Sequence, residues 1–183
     1  MEAKRQTPLW LFGALLAWSV TSAPLQAADA TNDLEFRVKA AYLFNFLSFV
    51  DYPETALSPA SGRTICVLGD DPIRSALDEA ARVRTARAYP VRVRRITAAA
   101  QAPGCHVLFL ALADRRQMRE IVEPLHTSPI LTVSEHPEFL NLGGTVLLYI
   151  EAGRLQFEID AAAAKRAGLH ISSKLLVLSR SAR

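Results

Sequence analysis

The sequence predicts an α/β fold: a mostly parallel sheet with helices on both faces and a C-terminal antiparallel hairpin. Three observations predict it. Short β-rich runs alternate with helical segments along the chain, one run (residues 105–110) is apolar apart from His106, and Ala152-Gly153 reverses the chain between two further β-rich runs. A strand covered on both faces reads as a continuous apolar run, and alternation of strands with helices selects a layered architecture. With 183 residues, 50% hydrophobic and 21% charged, the chain has enough apolar side chain to offset the entropy of ordering one domain, which excludes a disordered polypeptide.

The first thirty or so residues read as a leader. Lys4 and Arg5 form a basic start, residues 9–20 an apolar run, and Ala28-Asp29-Ala30 a small-residue end, the pattern of a cleavable Sec signal peptide cut after Ala28 or Ala30. A bilayer span needs roughly 20 apolar residues, and Pro24 and Gln26 interrupt the run before that. With no cysteine at the end of the apolar run, a lipid anchor is not indicated. The expected organisation is residues 1–30 as signal and residues 31–183 as one domain, exported in a bacterium to the periplasm. The formal charge is +3. Lys4 and Arg5 balance Glu2 and Asp29, so the excess belongs to the mature domain.

Asn32, followed by Asp33 and Glu35, predicts a helix over 32–50 that ends before Asp51-Tyr52-Pro53. Val38, Tyr42, Phe46 and Phe49 make one apolar stripe on it, and Phe36, Leu43, Leu47 and Val50 another. A helix apolar on two sides is either sunk between layers or offers a face to a partner. Residues 63–68 then predict a strand ending in Gly69-Asp70-Asp71-Pro72, with a helix from 72 to 82. Residues 89–96 alternate Val91 and Val93 with Arg92 and Arg94, predicting a half-exposed strand near an edge. A buried strand (105–110), a helix (114–125) and another strand (129–133) follow. Gly143-Gly144 turns the chain into strand 145–150, which pairs as a hairpin with 154–159, where Leu155, Phe157 and Ile159 share one face. Asp160 caps a helix to Ala167 that ends at Gly168, and Ser172 or Ser173 caps the last helix over 174–180.

Cys66 and Cys105 are the only cysteines. An oxidising compartment favours a bridge between them over two free thiols, and without clustered histidines they make no zinc site. In an open α/β sheet ligands gather beyond the carboxyl ends of the strands, so Asp70, Asp71, Asp114 and Glu135, with Ser134 and His136, form a candidate ligand rim. The acids suggest a phosphoacceptor receiver domain, but no lysine ends the strand 129–133 and the periplasm holds no phosphorylated kinase, so turns and helix caps account for them better. No G-x-S-x-G, H-E-x-x-H or Walker lysine is present, and the four histidines are scattered. No catalytic residue, metal site or cofactor is therefore expected. Arg82, Arg84, Arg87, Arg92, Arg94 and Arg95 form the one strong charge cluster. Export removes nucleic acid as its partner, which leaves a charged edge that discourages aggregation, or a surface for an acidic partner.

Val38-Lys39-Ala40-Ala41-Tyr42-Leu43-Phe44-Asn45-Phe46 followed by Asp51-Tyr52-Pro53 resembles the opening of the periplasmic YfiR-like proteins. Ile65-Cys66-Val67-Leu68-Gly69-Asp70-Asp71-Pro72 and Cys105-His106-Val107-Leu108-Phe109 are similar to theirs. So are Leu131-Thr132-Val133, Phe139, Gly143-Gly144, Phe157-Glu158-Ile159 and the stretch from Ala167-Gly168-Leu169-His170-Ile171 to Ser172-Ser173-Lys174-Leu175-Leu176. The resemblance spans residues 36–178. It implies a non-enzymatic regulator that binds the periplasmic sensor domain of an inner-membrane diguanylate cyclase and represses it, controlling cyclic di-GMP and biofilm formation. It also implies self-association and an OmpA-like, peptidoglycan-binding lipoprotein that sequesters the repressor. Cys66 and Cys105 match a family disulfide, whereas a second cysteine pair found in some members is missing. The candidate partner surface is the apolar helix, the hairpin and the last helix, through Tyr42, Phe46, Phe49 and Phe157. The competing reading is a periplasmic small-ligand-binding protein that signals to a membrane receptor through the acidic rim.

Overall fold

The β-rich runs pair as their patterns require. The computed structural model describes residues 25–56, 62–69, 71–84 and 90–180. In order they form α1 (Leu25–Phe49), β1 (Val50–Asp51), β2 (Arg63–Gly69), α2 (Ile73–Arg84), β3 (Val91–Ile96), β4 (Val107–Ala111), α3 (Arg115–Val122), β5 (Leu131–Ser134), β6 (Val146–Glu151), β7 (Arg154–Ile159), α4 (Ala161–Arg166), β8 (His170–Ile171) and α5 (Ser173–Leu178). The main sheet has six strands in the order β3-β2-β4-β5-β6-β7. Its pairs are parallel except the β6–β7 hairpin. Connections reverse direction between β2 and β4, the switch point beside which open α/β sheets form a crevice.

Alternation along the strands divides the interior into two cores. Ile65, Val67, Val107, Phe109, Leu131 and Val133 meet α1 and α2 on one face. Cys66, Leu68, Leu108 and Leu110 meet Met118, Ile121 and Val122 of α3 on the other. β4 is buried on both sides, as its unbroken apolar run demands. β3 is the edge strand that its half-exposed pattern predicts.

Helix α1 starts at Leu25, seven residues before the predicted cap. Asn32 and Asp33 lie inside it, and Asp33 pairs instead with Arg37 one turn on at 2.9 Å. A cap signal marks a permitted start, but nothing in residues 25–31 forbids continuation, since they hold neither proline nor glycine. The other caps stand: Asp114 accepts from the Gln117 amide and Asp160 from the Ala163 amide, each at 2.7 Å. Ser172 is the cap of α5 but makes no side-chain capping bond. Its amide donates to the Phe49 carbonyl at 2.9 Å. This joins a two-stranded antiparallel sheet, β1 with β8, whose two-residue strands are too short to show a period. At Gly143-Gly144 the first glycine has φ +90° and the second presses against the Phe139 ring, so neither place accommodates a Cβ.

Candidate functional site

Two concave regions contain most of the candidate site residues that the sequence singles out. The first lies between α1, β7 and α5. Tyr42, Asn45, Phe46 and Phe49 recur at helical spacing on one side of α1, Leu175 and Leu178 lie one turn apart on α5, and Gln156 and Phe157 come from β7. Together they line a groove of about 390 Å³. Its floor is an aromatic trio packed edge to face, with ring centres 5.5 Å apart for Phe46–Phe157, 5.7 Å for Tyr42–Phe157 and 6.2 Å for Tyr42–Phe46. Phe46 is fully buried. Tyr42 and Phe49 are half-buried.

The groove also hides a sheet edge. β7 is the outermost strand of the six-stranded sheet, and its outward carbonyls accept from the Tyr42 hydroxyl (to Leu155, 3.4 Å) and the Arg180 amide (to Phe157, 3.1 Å). The Arg180 side chain pairs with Glu151 across the hairpin. Of the lining residues Leu178 is 66% exposed. The structure thus brings Tyr42, Phe46, Phe49 and Phe157 together. Leu175 and Leu178 complete the wall, and sequence reasoning named only their helix, because nothing local says that α5 folds back over β7.

The second region is a cavity of about 490 Å³ beyond the carboxyl ends of β4 and β5, lined among others by Asp71, Leu112, Ser134, Glu135 and His136. Its polar groups are largely engaged. The Asp71 carboxylate accepts from the Ile73 amide at 2.7 Å, opening α2. The Ser134 hydroxyl donates to the Leu110 carbonyl at 2.7 Å. Asp114 is spent on the cap of α3 and does not line the cavity, and Asp70 lies outside the described residues. Glu135 accepts from Lys39 at 2.7 Å, and Lys39 also donates to Glu35 at 2.6 Å. The Lys39 side chain is 6% exposed and each glutamate 34%. Burial alone lowers the affinity of the ammonium for its proton, but the two carboxylates outweigh burial and hold it above the ordinary lysine value. The Glu35–Lys39 half of this triad is visible in sequence as an i, i+4 pair. The Glu135 half needs the fold. Among the described residues no three or more His, Cys, Asp or Glu side chains are grouped to hold a metal ion.

Cys66 and Cys105 are bridged, with Cα atoms 5.7 Å apart. Next to the bridge His106 is buried. Its Nδ1 accepts from the Thr64 amide at 3.0 Å, and its ring meets Tyr52 edge to face at 5.2 Å. Burial first, then the charge of Arg63, holds its pKa below the ordinary imidazole value, against an opposing backbone hydrogen bond at Ala56. Of the basic cluster, Arg82 and Arg92 are exposed, and Arg94 turns onto the bridge. Arg87 and the side chain of Arg84 lie outside the described residues.

No described helix is long and apolar enough to cross a membrane. A family model described as YfiR/HmsC-like matches residues 36–180, which takes in the second half of α1 and every later element to the end of α5.

Proposed function

We propose that this chain, which belongs to the YfiR/HmsC-like family, binds the periplasmic sensor domain of an inner-membrane diguanylate cyclase, or a related sensor, and holds it inactive without catalysing a reaction. Membership of that family supports a periplasmic regulator of diguanylate cyclase signalling. The observation that carries the finer reading is the aromatic groove: four aromatic side chains from α1 and β7, walled by α5 with Leu178 largely exposed. Aromatic anchors in a preformed pocket, ringed by groups that exclude water, are how interfaces concentrate binding energy. Residues 1–30 serve as the export signal, and residues 31–183 remain as the working domain. Self-association and capture by an OmpA-like lipoprotein complete the reading, release raising cyclic di-GMP and favouring biofilm.

Repression of this kind needs differential affinity. To move a two-state sensor from mostly active to mostly inactive, the repressor must bind the inactive form about 10⁴-fold more tightly. Leu178→Asp tests the surface, because the side chain is largely exposed and a change there alters stability by about 0.5 kcal/mol or less. The variant is expected to keep its melting temperature, lose capture of the membrane cyclase and raise cyclic di-GMP as far as gene deletion does. Unchanged cyclic di-GMP in the deletion strain, together with no membrane cyclase recovered by pull-down, rejects the reading.

A second reading rests on the 490 Å³ cavity at the carboxyl ends of β4 and β5: a small ligand held there, signalling to a membrane receptor. A compound at 100 times its dissociation constant adds about 2.7 kcal/mol of stability, so a saturable thermal shift abolished by Asp71→Asn favours this reading over the first.

A further inference from the structure

We propose that Arg94 is a positioning residue for the redox chemistry of the Cys66–Cys105 bridge: its guanidinium favours the thiolate of Cys105, so the bridge is easier to reduce than its burial alone allows. The placement begins with register. Arg94 is the direct partner of Cys66 in the parallel β2–β3 pair. Val91 and Val93 pack toward α1 and α2, so strand alternation turns Arg94 to the opposite face, where the bridge lies. There its Nη2 donates to the carbonyls of Gln101 at 2.9 Å and Pro103 at 3.0 Å. The same nitrogen lies 3.1 Å from Cys105 Sγ and 3.6 Å from Cys66 Sγ.

Cys66 is 0% exposed and Cys105 4%, and burial disfavours a charged sulfur. A neighbouring guanidinium does the reverse, and does it selectively. A neutral disulfide gains little from a cation, whereas a thiolate at this distance gains a full charge–charge attraction. Stabilising the reduced form raises the reduction potential. The reductant is a dithiol. One of its thiolates attacks Cys66 Sγ as the loop 97–105 opens, the Sγ–Sγ bond breaks, and Cys105 leaves as a thiolate beside Arg94. The second reductant thiol loses its proton to solvent and attacks the reductant sulfur of the mixed disulfide, and Cys66 leaves and takes up a proton. The reductant loses two electrons and the bridge gains two.

The test is the equilibrium of the whole protein with dithiothreitol buffers over a pH series from 7 to 10, read by alkylation and mass, for wild type, Arg94→Met and Arg94→Lys. As the pH rises far enough to ionise Cys105, Arg94→Met is expected to reduce up to about tenfold less favourably, a potential lower by about 30 mV for this two-electron couple, while Arg94→Lys stays within about threefold of wild type. In the reduced protein, alkylation of Cys105 should also need a pH about one unit higher in Arg94→Met. If Arg94 merely covers the bridge, its loss opens access and the methionine variant reduces as easily as wild type or more easily. That result overturns the proposal. Should Arg94→Met fail to fold, Arg94→Gln, which keeps donors for the two carbonyls without the charge, decides it by the same sign.

Discussion

The two faces of the central sheet are closed by different means. On one, α1 and α2 bury Leu43, Phe44, Phe46, Leu47, Ile73 and Leu77 against the strands, with α5 packed at the hairpin end. On the other, the cover is the eight-residue α3 and short 3-10 turns, and the Cys66–Cys105 bridge ties β2 to the start of β4. The stretch 36–49 of α1 carries more apolar surface than a closed core needs, and the surplus is left as a groove. A short cover cannot hold itself down by burial alone. A covalent tie makes up part of the shortfall by restricting the unfolded chain. The first face therefore leaves an apolar groove, whereas the second is closed in part by a covalent bond.

The sharpest way to break this contrast is to remove one anchor from each face. Phe46→Ala takes a fully buried ring from the aromatic trio and should cost about 3–5 kcal/mol in urea denaturation. A loss below about 1 kcal/mol would mean that the groove floor is not packed as described. Replacing both cysteines by serine removes a 39-residue loop closure. Chain entropy sets a ceiling of about 4 kcal/mol, and residual structure in the unfolded chain brings the expected loss to about 2–4 kcal/mol. If that loss vanished, α3 and its turns would be closing their face unaided. Lys39→Met unpairs two glutamates that still reach water, so about 1–3 kcal/mol is expected, less than for a fully buried ion pair.

His106 adds a pH test. Because its folded value is depressed, the unfolded imidazole takes up its proton first, near pH 6.5. Its contribution is fully present above that pH and is lost as pH falls through the folded value. Denaturation midpoints at pH 7.5 and 5 should differ less for His106→Gln than for wild type. The smallest effect belongs to the hairpin edge: both partners of Arg180–Glu151 are about half exposed, so Arg180→Ala should cost less than about 1 kcal/mol.

Much of this was legible in sequence because it depends on neighbours along the chain. The apolar run of β4, the alternating edge of β3, the hairpin reversal and the caps Asp114 and Asp160 are set by local patterns of period two or 3.6 and by single side chains within reach of their own backbone. The true start of α1 was missed because a cap signal permits a start without requiring one. β1 and β8 were missed because two residues have no period.

What the sequence determined by itself is the order of strands and helices, which faces are apolar, which two cysteines were available, and the residues that match the family. Only the tertiary structure decided which of these meet. The packing of α1 and α5 around β7 joins Phe157 to the α1 aromatics in one groove, the chain reversal between β2 and β4 opens the cavity by Asp71, and parallel register sets Arg94 on the bridge. The physical reason is range. Propensity, capping and periodicity act within a few residues, whereas the packing of apolar faces and the pairing of Lys39 with Glu135 act between segments whose meeting is fixed only when the whole core closes.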